Sequence, residues 1–216
     1  MTRSEGEGSR RRRAPDEKRN RILEAAQLLF SERGYAETST AEIARQAGVS
    51  EGIVFHHFGN KQGLLGEVAA AFGRGASLAM FAGISPDQPP DAYGMIRRVF
   101  EYCRDHGLLH QMLVHARDPS DWNVAMQAHR RVIISSLTEA FTRWKASGHI
   151  HTDRPELAAP MLFGLVESAL INCFGDRDGE DWEAYLEEAV RLIEGALYDT
   201  RPSIPRPIGA VRADSE

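Results

Sequence analysis

Apolar residues recur at spacings of three and four along much of this chain, a period that predicts helices. Ile22, Leu23, Ala26, Leu29 and Phe30 form one such face. Asp16 and Glu17 precede it, where a helix N-terminus favours acid, and Gly34 stands where a C-terminal glycine ends a helix. The first helix is therefore expected from about Asp16 to Gly34. Residues 1–15, rich in Gly, Ser and charge and closed by Pro15, read as a disordered basic tail. Ser39 and Glu42 have capping-box spacing, each able to bond the other's backbone amide. Ile43, Ala44 and Ala47 give the second helix a narrow apolar face before Gly48 breaks it. Ser50 is placed to cap a third helix, Glu51 to about Phe58, and Asn60 a long fourth from Lys61 to about Phe81.

Beyond a loop at 83–91 the helical period resumes from about Ala92 to His106, Leu108 to Arg117 and Ser120 to Lys145. Asp153 and Glu156 offer another box-like start, with Pro155 tolerated in the first turn, for a helix reaching about Phe174. After the loop GDRDGED, a last helix from about Asp181 to Tyr198 carries Trp182, Tyr185, Leu186, Ala189, Leu192, Ile193 and Ala196 on one side. Residues 201–216, with Pro202, Pro205 and Pro207, read as a second disordered tail. No segment alternates with the period of a strand. The expected fold is all-α with about nine helices, a three-helix head over 16–62 and a larger helical body over 63–200.

Composition narrows the class. Of the 216 residues, 42% are apolar, enough for a packed core. No apolar stretch approaches the roughly 18–20 residues of a membrane helix, and no apolar segment follows the basic N-terminus as a secretory signal requires. Cys103 and Cys173 lie in apolar helical patterns, which fits two buried thiols in a cytoplasmic chain better than a disulfide. The net charge of −5 argues against nucleic acid until it is divided. Residues 1–62 hold 11 Lys and Arg against 9 Asp and Glu, a balance of +2; the rest holds 15 against 22, a balance of −7. A mildly basic head on an acidic body suits a small DNA-binding module joined to a domain that does not touch DNA.

The segment 39–58, STAEIARQAGVSEGIVFHHF, carries the sharper signal. Two short helices meet at Ala47, Gly48 and Val49, where a glycine permits a tight turn and small or branched neighbours allow steep packing. That is helix-turn-helix geometry, and its second helix fits a major groove about 12 Å wide.

The longer stretch RILEAAQLLFSERGYAETSTAEIARQAGVSEGIVFHHFGNKQGLL resembles the N-terminal domain of TetR-family repressors. The matching features are ILEAA and LF before Gly34 and Tyr35, Thr40, Ile43 and Ala44, Ala47 to Ser50, Gly52, Phe55 to Phe58, Lys61, and Leu64 with Leu65. The resemblance implies that Glu51, Gly52 and Phe55 face base edges, with Ser50 at the head of the recognition helix, and that Thr40, His56, His57 and Lys61 touch phosphates. Tyrosine is usual where Phe55 and His57 stand, and small polar residues where Ile53 stands. Ala41 has no side chain to read a base. Direct readout is thus sparse, and DNA shape is expected to share the discrimination. The Arg10–Arg13 run has two open readings, a solvated tail or an arm for a narrow minor groove.

For the body, the resemblance implies a homodimer on a palindromic operator and a small hydrophobic or aromatic effector. The expected pocket residues are Phe100, Cys103, His106, Trp122, Met126, His129 and Glu167. The expected dimer residues are Leu162, Leu165, Val166, Ala169 and Cys173 on one helix and Tyr185, Ala189, Leu192 and Ile193 on the other. Packing within one chain competes with both assignments. No nucleophile–base, metal-ligand, P-loop or dinucleotide pattern is present, so no catalysis, cofactor or metal is expected. A second rival is a helical binding protein that kept the head but lost its operator.

Overall fold

The computed structural model describes residues 5–85, 88–107, 118–174 and 181–198, with only the backbone of 5–15. The helix expected over 108–117, most of the GDRDGED loop and the C-terminal tail lie outside the described residues. All eight described elements are helices: α1 (Glu5–Arg33), α2 (Thr40–Ala47), α3 (Glu51–Phe58), α4 (Lys61–Met80), α5 (Ala92–Asp105), α6 (Pro119–Ala146), α7 (Pro155–Phe174) and α8 (Trp182–Tyr198).

The ends follow local chemistry. The Ser39 hydroxyl accepts the Glu42 amide at 3.2 Å while the Glu42 carboxylate accepts the Ser39 amide at 2.9 Å. Gly48 closes α2 at φ 64°, a left-handed conformation that costs glycine no side-chain clash. Asn60 Oδ1 accepts the Gly63 amide at 2.7 Å to start α4. Three starts differ from the sequence reading. Helix α1 begins at Glu5 and not near Asp16, so the backbone of the presumed tail is helical. Arginine is a strong helix former, and Pro15 removes only one backbone bond from the run. Ser50 stands at the N-cap of α3 with extended backbone, but its hydroxyl makes no capping bond. At α7 the Arg154 amide donates to the Thr152 hydroxyl at 3.4 Å, in place of the expected Asp153–Glu156 box. The carbonyl of Asp153 instead accepts the Lys145 ammonium.

The head packs Ile22, Ala26 and Phe30 of α1, Ile43 of α2 and Val54 of α3 against Leu64, Leu65 and Val68 of α4. The same apolar cluster continues through Phe72, Ala76 and Met80 into the body. Residue 62 therefore marks no gap in the core, and α4 belongs to both parts. Helices α4 and α6 lie close together: a Cβ at Gly73 would sit 3.0 Å from the His129 carbonyl oxygen. Phe100 anchors the far side, 6.0 Å from the Phe174 ring and 6.5 Å from that of Trp182.

Helix α7 corrects the membrane expectation. It has 20 residues, and an 18-residue window within it has mean hydropathy 1.6, long and apolar enough to cross a membrane by length and composition. The run was missed because Glu167 interrupts it. Only Pro155, Ala159, Phe163, Leu170 and Cys173 are buried on it, and Met161 is 72% exposed. On α8 the buried face is Leu186, Ala189, Val190, Ile193 and Leu197. Leu192 and Ala196, expected on that side, lie outside it because the true stripe is one step further round the helix.

Candidate nucleic-acid interface and interior cavity

Helix α3 buries Val54 and Phe58 and turns Glu51, Gly52, Phe55 and His56 to solvent, with His57 half-buried beside them. Phe55 is 44% exposed, an apolar ring with no core to fill. Thr40 opens α2 next to this face and donates its hydroxyl to the Glu51 carboxylate at 2.5 Å. Ser50 is exposed at the head of α3. Six of the eight expected DNA residues thus lie at the head of α3 or along it, and Thr40 is tied to that helix through Glu51. Burial, followed by the charges of His56, Arg19 and Lys18, holds the His57 imidazole below its ordinary 6.5. A neutral imidazole here still carries one N–H for an anion.

Lys61 is placed differently. Its ammonium donates to the Ala36 carbonyl at 3.2 Å and lies 4.4 Å from the centre of the Tyr35 ring. Partial burial lowers its pKa. In this arrangement Lys61 braces the turn between α1 and α2, and a phosphate would have to compete for it.

The sequence reading missed a joint between head and body. Asp121, in the first turn of α6, accepts from the Tyr35 hydroxyl at 3.3 Å and from the Gln62 amide at 3.0 Å. Gln62 also reaches the Ser120 hydroxyl at 3.3 Å. Burial and then the Asp121 charge push the Tyr35 hydroxyl up to about 12. One carboxylate 86 residues along the chain from Tyr35 joins two elements of the head. No local spacing could have pointed to it.

Below this joint the five body helices enclose a cavity of about 90 Å³. Its walls are Phe72 and Met80 of α4, Met95 and Cys103 of α5, Met126, His129, Phe141 and Trp144 of α6, Phe163 and Glu167 of α7, and Ile193 and Leu197 of α8. Of the seven expected pocket residues, Cys103, Met126, His129 and Glu167 line it. Phe100 is fully buried behind the wall, Trp122 is 39% exposed on the outer side, and His106 is exposed, stacked on Tyr102 at 4.1 Å. Those three sit at the right helical period but on neighbouring faces. Burial pushes the Cys103 thiol up to about 12, which leaves it inert as a nucleophile.

Glu167 is the unusual wall residue. Its Oε2 faces the Arg130 guanidinium at 3.6 Å, while Oε1 is buried with no hydrogen-bond partner among the described residues. Burial raises its pKa and Arg130 opposes that. Arg130 also lies over the Phe163 ring at 5.5 Å, and that ring is 6.0 Å from His129. The arrangement is a nearly neutral ion pair with one open acceptor, set in an aromatic wall. Among the described residues no three His, Cys, Asp or Glu gather as metal ligands would.

The expected dimer residues divide in two. Cys173, Ala189 and Ile193 are buried within the chain, and Leu162, Val166 and Ile193 line the cavity. Leu192 is exposed, and Leu165, Ala169 and Tyr185 are partly so. On these two helices Leu157 and Met161 of α7 and Leu192 of α8 face outward, while Ile171, 36% exposed, also lines the cavity.

Residues 22–68, which span the helix-turn-helix and the first part of α4, match the family described as bacterial regulatory proteins, tetR family. The head of the chain is thus that of a TetR-family transcriptional regulator. This TetR-type head is 46% identical over 50 residues to the regulator HbdR of Aromatoleum sp. strain CIB, a match covering 23% of this chain and 22% of that relative. The chain thus spans under a quarter of HbdR's length. Along almost its whole length it is 25% identical to the repressor AcnR of Corynebacterium jeikeium, covering 84% of this chain and 92% of AcnR. The solved structure of Thermus thermophilus FadR, a TetR-family repressor in complex with lauroyl-CoA, superposes with a TM-score of 0.66 at 23% identity, covering 88% of this chain and all of that one. The TetR fold therefore extends past the head through the body.

Proposed function

We propose that this chain is a dimeric transcriptional repressor that binds a palindromic operator and is released from it by a small apolar ligand. The observation that carries the DNA half is the outward face of α3, where Glu51, Gly52, Phe55 and His56 stand together beside Thr40 with no core to serve. A carboxylate can accept from a cytosine amine, and an exposed phenyl ring suits a thymine methyl. The long similarity to a repressor favours repression. On this reading the protein is not an enzyme and works in the cytoplasm, where its DNA is.

Dimerisation is favoured by the outward apolar residues of α7 and α8. Paired with a second copy, they would be covered in an interface related by a two-fold axis. Such an axis would set two recognition helices about 34–36 Å apart. The same pairing explains the apolarity of α7 without a membrane.

Selection of bound duplexes from random sequence tests the reading. The expected result is an inverted repeat with half-site centres about one helical turn apart. Recovery of no shared sequence overturns it and favours a helical binding protein that has lost its operator. In Phe55→Ala the preference at one position should weaken by about 1–3 kcal/mol.

A further inference from the structure

The cavity wall is mostly apolar, and Glu167, its one acidic residue, determines what fits. Glu167 has one oxygen facing Arg130 and the other buried with no partner. A buried acceptor left unmade is costly, and a ligand that donates to it recovers that cost. Because Arg130 already balances the carboxylate, a second full cation would leave net charge in an apolar interior. A ligand anion would face the unpaired oxygen directly. A neutral donor meets neither penalty. The rest of the wall presents rings: Phe72 and Phe163 flank His129 at 5.5 and 6.0 Å, with Phe141 and Trp144 further along α6.

Size limits the ligand as well. The cavity measures about 90 Å³. An apolar cavity of about 150 Å³ holds one benzene ring, so this one takes a single ring after small shifts of the flexible Met80, Met95 and Met126 side chains. A long chain with a large head needs far more room.

We infer that the cavity takes a neutral, single-ring, hydroxyl-bearing aromatic molecule of the phenol class, whose hydroxyl donates to Glu167 Oε1 while its ring lies among Phe72, His129 and Phe163. This rests on the ligand-released reading for its biological meaning, but the binding step stands apart from DNA.

The test uses the full chain and four probes: 4-ethylphenol, ethylbenzene, benzoate and lauric acid, followed by the rise in melting temperature and by tryptophan fluorescence in a Trp122→Phe, Trp182→Phe background that leaves Trp144 of the cavity wall as the only emitter. The expected result is 4-ethylphenol binding at least about tenfold more tightly than ethylbenzene. In Glu167→Leu the two should bind alike, and in Glu167→Gln, whose amide oxygen still accepts, part of the preference should return. Equal binding of both probes to the native chain overturns the inference. So does a preference unchanged in Glu167→Leu, or tighter binding of benzoate or lauric acid. Operator release is read separately by anisotropy of labelled DNA. If 4-ethylphenol binds with the expected preference and the operator stays bound, the ligand class stands and the ligand-released reading fails.

Discussion

Thr40 and Glu51 bond each other in the free protein, across the gap between α2 and α3. On the proposed reading DNA must part them, since the resemblance matches Thr40 to a phosphate and Glu51 to a base. Truncating Glu51 to alanine frees Thr40 and removes the acceptor. Overall affinity should then change little, while discrimination at one base pair falls by about 1–3 kcal/mol; competition between operators substituted at single positions reads this. His57 gives a pH dependence. Its pKa is depressed in the free protein, and a phosphate beside it would raise it, so binding takes up protons. Affinity should rise as pH falls from about 7.5 toward 6 at fixed ionic strength, and rise less in His57→Gln. Folding responds with the opposite sign. A depressed imidazole pKa favours the folded state above 6.5, and that contribution is lost as pH falls through the depressed value. Which residues of α3 face solvent was legible because a helix of eight residues has few ways to turn. The bond from Lys61 to the Ala36 carbonyl was not legible, because that partner lies 25 residues earlier, across a turn the period does not describe.

Each helix end depends on two or three neighbouring residues, and three ends around the helix-turn-helix were readable for that reason. The Ser39–Glu42 box, the Gly48 turn and the Asn60 cap all appear as their spacing implied. Which flank of a helix meets which partner depends on tertiary packing, so the stripe of α8 and the pocket face of α5 were each read a step away. Gly52 separates local from external demands. A Cβ there meets nothing within 4 Å, and glycine weakens a helix by up to about 1 kcal/mol relative to alanine. Gly52→Ala should therefore melt slightly higher than the native chain and bind the operator more weakly, because the new methyl points at the groove floor. Thermal melts and anisotropy on one preparation give both signs. Gly73→Ala should act the other way. Its methyl would press on the His129 backbone at 3.0 Å, and a cost of roughly 1–3 kcal/mol for overpacking outweighs the propensity gain, so the melting temperature falls.

At the scale of the whole molecule, the all-α class and the head were legible because periodicity and a dense motif are properties of the sequence itself. The cavity was only partly so, because helical spacing cannot distinguish a wall residue such as His129 from one behind the wall such as Phe100. The outward apolar face of α7 and α8 leads to a direct expectation. Met161→Glu combined with Leu192→Glu changes only exposed positions. It should leave helix content intact, yield monomers in sedimentation and abolish operator binding; a dimer that still binds would remove the pairing assigned to these helices. Finally, α6 bears Asp121 at one end and cavity residues from Met126 onward, about 7.5 Å further along its axis. Any shift of α6 that accommodates a ligand is felt by Tyr35 and Gln62, and any strain the operator places on those two is felt in the cavity. Binding at the two places must then be linked by a single factor, read identically from either side. Operator DNA should weaken a ligand's hold by the same ratio that the ligand weakens the operator's, and Asp121→Ala should bring both ratios toward one together. On the proposed reading, the carboxylate that fastens the head thereby makes the promoter itself a competitor for the small molecule.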